Sequence, residues 1–188
     1  PVCNQYPKPD NCFADNRASV HLHGGVSPWI SDGTPHQWIT PENETTAWPQ
    51  GVSVENVPDM GDAGCDAEDD GCSTFYYTNQ QSARFMFYHD HAWGITRLNV
   101  YAGEAAGYLI SDDTEKALMA PGGALDGLGL GIPLVIQDKT FVPGAAQLAA
   151  QDPTWDASRW GGYGSMWAPH VYMPAQNPND PSGMSAYG

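Results

Sequence analysis

Two short histidine pairs, His21-Leu22-His23 and His89-Asp90-His91, constrain this chain more than any other feature. In a β-strand, residues i and i+2 share one face, roughly 6.5 Å apart along the backbone. Each pair therefore presents two imidazoles side by side, and two such strands packed together direct four imidazoles at one point. Imidazole suits copper, zinc, iron and nickel, so the pattern reads as a transition-metal site. Spacing alone leaves open whether each pair holds one ion or straddles two. Gly24 and Gly25 follow the first pair, where a missing side chain lets backbone or a small ligand approach. Asp90 lies between the rings of the second pair and faces away from them on a strand, so it suits an anchoring role directed elsewhere. The lone histidines His36 and His170 read as structural.

The 188 residues suffice for one domain, or for one and a piece of another. With 21 glycines and 16 prolines, the composition favours short strands joined by turns. Strands are predicted over 18–23, 74–78, 83–89, 105–111 and 132–137, with Asn79-Gln80-Gln81 turning between the second and third. Residues 24–44 form a long connection of the kind that usually carries function. Residues 117–130 read as a linker, and the chain after Pro143 as irregular, with Trp155, Trp160 and Trp167 set among glycine and proline.

Seven basic against 22 acidic residues give a formal charge of −15. Such a surface repels nucleic acid and anionic membranes, attracts cations, and also serves solubility. No apolar run is long enough to span a bilayer. The cysteines form two local pairs, Cys3/Cys12 and Cys65/Cys72, without C-x-x-C spacing. They read as local disulfides of an exported protein, secreted or periplasmic. The first residue is Pro1 rather than Met, which leaves room for a leader already removed. The acidic run starting at Asp66 looks like a calcium loop but has Tyr77 at its twelfth position where glutamate is needed, so it reads as a solvated loop.

His21-Leu22-His23-Gly24-Gly25 resembles the first copper motif of the multicopper oxidases, and the run from Tyr88 to Gly103 resembles the second. The longer match is similar to the bacterial branch of spore-coat laccases, phenoxazinone synthases and bilirubin-oxidase-like enzymes. Ser31-Asp32-Gly33 and Asn79-Gln80-Gln81 fit the same branch, and the resemblance runs from about Ser19 to Phe141. It implies an all-β, cupredoxin-like Greek-key sandwich, incomplete in this chain. Residues 1–115 would be a first cupredoxin-like domain lacking its N-terminal strands, 116–131 a linker, and 132–188 the start of a second such domain.

The resemblance also implies copper as cofactor. His21 would bind a type 2 copper, and His23, His89 and His91 a type 3 pair, in a trinuclear cluster that reduces O₂ to water with electrons from a small reducing substrate. Asp32 matches an acidic residue that assists proton delivery, and it serves equally well as a turn residue. Arg97 and Asn99 would pin the loop after His91, while Tyr88 and Trp93 would wall the site. Glu104 departs from the pattern, since relatives often carry an apolar residue there. The remaining four cluster histidines and the type 1 copper ligands would come from other polypeptide segments or chains. Two other readings compete: a non-catalytic copper-binding module, and a zinc-dependent hydrolase, which needs an open metal position and a carboxylate.

Overall fold

A computed structural model of the chain describes residues 11–55, 57, 65, 71–129 and 131–167. Three antiparallel strands organise the first part: β1 (Val20–His23), β2 (Arg84–Asp90) and β3 (Ala105–Ile110), ordered β1-β2-β3. In the β1–β2 ladder His21 stands opposite His89, and Leu22 opposite Tyr88. In the β2–β3 ladder Met86 faces Tyr108 and Phe87 faces Gly107. Alternation sorts the side chains by face. Leu22, Met86 and Ile110 are buried together, with Tyr77 and Tyr108 packed against them. The other face carries His21, His23, Phe87 and His89, and its Phe85, Phe87 and Leu109 remain 43–49 % exposed.

Helix α1 (Thr96–Ala102) follows the second histidine pair. The Thr96 hydroxyl donates to the Ala92 carbonyl at 3.0 Å, and α1 ends at Gly103, whose φ of 123° only glycine adopts readily. The Asn99 amide donates to the Arg17 carbonyl at 2.7 Å. That bond ties α1 to the segment before β1. Helix α2 (Asp113–Met119) is capped by Asp112, whose carboxylate accepts from Glu115 N–H and Ala83 N–H. Those two bonds hold its carboxyl below the usual range.

Contacts divide the chain at residues 135 and 136. The second unit contains α3 (Ala145–Gln151) and α4 (Ala157–Trp160). A bridge joins Phe141 and Met166, Val142 is buried, and the Trp155 ring lies 5.2 Å from Trp160 and 5.7 Å from Trp167.

The small antiparallel sheet agrees with the expected class, but three local readings change. Residues 74–78 form no ladder: side chains hold them instead, with Tyr76 N–H donating to Ser31 Oγ and the Thr78 hydroxyl to the Val26 carbonyl, both at 2.7 Å. Residues 132–137 form no strand either, and Ile132, Leu134 and Ile136 are 71–93 % exposed. The turn-rich composition also conceals short helices, because α2 and α4 draw on aspartate caps rather than on long apolar periodicity. Cys65 and Cys72 form a disulfide, and Cys12 is disulfide-bonded. Cys3, His170 and most of the acidic loop lie outside the described residues. No helix among the described residues is long and apolar enough to cross a membrane.

Candidate metal centre

The β1–β2 register builds the site. His21 and His89 are cross-strand partners, His23 lies two residues further along the same face of β1, and His91 lies just past the end of β2. The ring centroids of His21 are 5.8 Å from His23, 5.5 Å from His89 and 5.0 Å from His91, the last pair stacked. Each of His21, His23 and His89 offers a ligand atom within 4.8 Å of the other two. The structure thus brings all four predicted imidazoles together.

Their hydrogen bonds say which nitrogens are free. His21 Nδ1 lies 2.6 Å from the Asp32 carbonyl, and His89 Nδ1 lies 2.6 Å from its neighbour Asp90's carbonyl. A carbonyl only accepts, so each Nδ1 carries a proton, and Nε2 is the nitrogen left to face a metal. This is the arrangement metal-binding histidines generally show, with the second ring nitrogen tied to an oxygen. His23 Nδ1 stands 3.2 Å from His89 Nε2, a separation two nitrogens also adopt when they share an ion. The buried Nδ1 of His91 has no hydrogen-bond partner; the Gly33 backbone, which favours its protonated form, stays outside hydrogen-bond geometry. Burial, then His21 and His89, push the His91 pKa below the usual histidine value, so the neutral ring is favoured. Three to four convergent imidazoles, two of them with Nδ1 held on carbonyls, fit a first-row transition ion.

Asp32 borders this cluster. Its carboxylate Oδ1 is 3.6 Å from His21 Nδ1 and its side chain is half exposed, so it can exchange protons with solvent beside the rings. Gly33 explains how Asp32 gets there. It has a φ of 67°, and a Cβ on it would collide with the backbone of Val20 and His21. The loop therefore lies directly on β1 and brings the Asp32 carbonyl to His21.

Three residues that patterning left in the background matter here. Phe87 stacks on His23 at 4.6 Å and on His89 at 5.5 Å, forming one wall of the cluster. The Gln81 amide spans the loop after His23, accepting from Val26 N–H at 2.9 Å and donating to the Gly24 carbonyl at 2.8 Å. Arg17 is buried under the rings of Phe13 and Trp38 and donates to the Trp93 carbonyl at 3.0 Å. Phe87 was legible as the residue two before His89, and Gln81 only as a turn position. One expected wall is absent, since Tyr88 points to the opposite face because it alternates with His89; Trp93 stacks on His36 at 5.5 Å.

The sequence matches no protein-family model. It is 43 % identical over 122 residues to a laccase from Bacillus stratosphericus, covering 65 % of this chain and 19 % of that protein. It is 52 % identical over 145 residues to a laccase from Haloferax volcanii, covering 74 % of this chain and 20 % of that protein. Among solved structures it aligns with a variant of the McoA multicopper oxidase from Aquifex aeolicus at 29 % identity and a TM-score of 0.42, covering 68 % of this chain and 22 % of the other. The chain spans about a fifth of the length of the laccases it matches.

Proposed function

We propose that this chain is part of a multicopper oxidase, a reading its likeness to the two laccases supports, and that it supplies half the histidines of a copper centre that reduces O₂ to water. His21 serves a type 2 copper, and His23, His89 and His91 serve a type 3 pair. The convergence of four imidazoles, with Nδ1 of His21 and His89 tied to carbonyls, is the observation that carries this reading. Copper held there would pass electrons to O₂. The chain's own residues set the conditions for that chemistry. His21 and His89 hold Nδ1 on carbonyls and leave Nε2 facing the cluster, burial lowers the His91 pKa, and Phe87 covers one side of the His23 and His89 rings. Asp32 holds a carboxyl group beside His21, placed to deliver the protons that water formation consumes.

Electrons come from a small reducing substrate such as a phenol, aromatic amine, pigment or metal ion. The type 1 copper that accepts them and the other cluster histidines belong to polypeptide beyond this sequence. The Cys65–Cys72 disulfide supports a secreted or periplasmic setting. In the assembled enzyme, His89→Ala or His91→Ala should abolish O₂ uptake and lower copper content while leaving the type 1 blue band intact. Loss of that band with unchanged O₂ uptake would overturn the assignment, and zinc in place of copper in the purified protein would favour a hydrolase.

A further inference from the structure

His91 is the one cluster ring that the ladder does not place. Val20 pairs with Asp90 at the last rung of β1–β2, and His91 follows one residue later. Something else must fix it against His21, on which it stacks at 5.0 Å. The contacts converge on Asp90, which is only 2 % exposed. Its Oδ1 accepts from the Ser19 N–H at 2.7 Å, and both its oxygens lie 3.1 Å from the Ala92 N–H. The Ser19 carbonyl in turn accepts from the His91 N–H at 2.7 Å. The peptide groups of Ser19 are thus held from both sides by residues 90 and 91. Ser19 lies two residues before His21 and Ala92 one residue after His91, so a single carboxylate ties the start of one histidine pair to the exit of the other.

We propose that Asp90 is a positioning residue that sets His91 against His21 for metal capture, acting through the N–H groups of Ser19 and Ala92. This rests on the reading of the four imidazoles as copper ligands. The argument is one of acceptor geometry. Two N–H donors from separate segments converge on one short side chain: Oδ1 takes both, at 2.7 Å from Ser19 and 3.1 Å from Ala92, and Oδ2 shares the Ala92 N–H at 3.1 Å, with the carboxylate charge strengthening each bond. Asparagine keeps an acceptor at the Oδ1 position but loses the charge and turns an NH₂ group toward the Ala92 N–H where Oδ2 accepts. Serine keeps a local acceptor for Ala92 and cannot reach Ser19. Outer partners of metal-binding histidines are worth about 10- to 100-fold in metal affinity.

The test uses the assembled protein stripped of copper and titrated with Cu(II), read by the paramagnetic resonance spectrum and by copper bound per chain. Asp90→Asn and Asp90→Ser should each bind copper at the cluster about 10- to 100-fold more weakly with an altered spectrum, the type 1 signal remaining unchanged. In the copper-free protein, the His91 ring resonances should shift while those of His23 stay in place. Either variant folding normally and binding copper with the parent's affinity and spectrum would overturn the role of Asp90. A parent protein that takes up no copper at this cluster would overturn the copper reading itself, and the Asp90 role with it.

Discussion

The two faces of the three-stranded sheet hold the same strands to different purposes. One face buries Leu22, Met86 and Ile110 against Tyr77 and Tyr108. The other gathers His21, His23 and His89 beside Phe87 and leaves Phe85 and Leu109 half exposed. Because side chains alternate along a strand, Leu22 packs on the buried face from between two histidines of the candidate metal centre. The two demands are met one residue apart without competing for space.

The largest effect that could break this division is on the buried face. Leu22→Ala removes the middle of a small cluster and should cost about 2–4 kcal/mol of stability, measured by denaturant titration. Copper binding by the fraction still folded should be unchanged. Weaker binding in that fraction would mean the faces are coupled. On the imidazole face, Asp32→Asn should slow O₂ reduction, most visibly at higher pH where protons are scarce, with thermal stability unchanged because the Asp32 carbonyl, not its side chain, holds His21. An unchanged pH–rate profile would remove Asp32 from proton delivery.

The smallest effect concerns Glu104 at the start of β3. Burial, then repulsion from Asp90, raise its pKa above the usual glutamate value. A carboxyl whose pKa is higher folded than unfolded favours the folded state below that window and penalises it as pH rises through the window. Glu104→Gln should therefore raise the melting temperature slightly at neutral pH and leave it unchanged in acid below the glutamate range. A gain of the same size at both pH values would assign the effect to packing instead.

The strands that carry the pairs were legible because histidine spacing and strand period coincide. Alternation placed each pair on one face of its strand and led to the expectation that the two pairs converge; the register that sets His21 opposite His89 is a long-range pairing no local pattern encodes. The 74–78 segment was misread because its aromatic, hydroxyl-rich residues look like a strand, while Ser31 and Val26, far away in sequence, hold it through side chains. Asp90 was legible as facing away from the rings. Its contact with Ser19 spans 71 positions, and no local pattern encodes such a distance. Tyr88 shows the reverse case, since alternation alone would have placed it on the buried side.

Gly33 carries a consequence for heredity. Every single-base change of a glycine codon that alters the amino acid introduces a side chain, and any side chain at this position drives into the β1 backbone at Val20. The strand bearing His21 must then shift, or the loop must lift its carbonyl off the ring. No single-base substitution that replaces this residue avoids that clash.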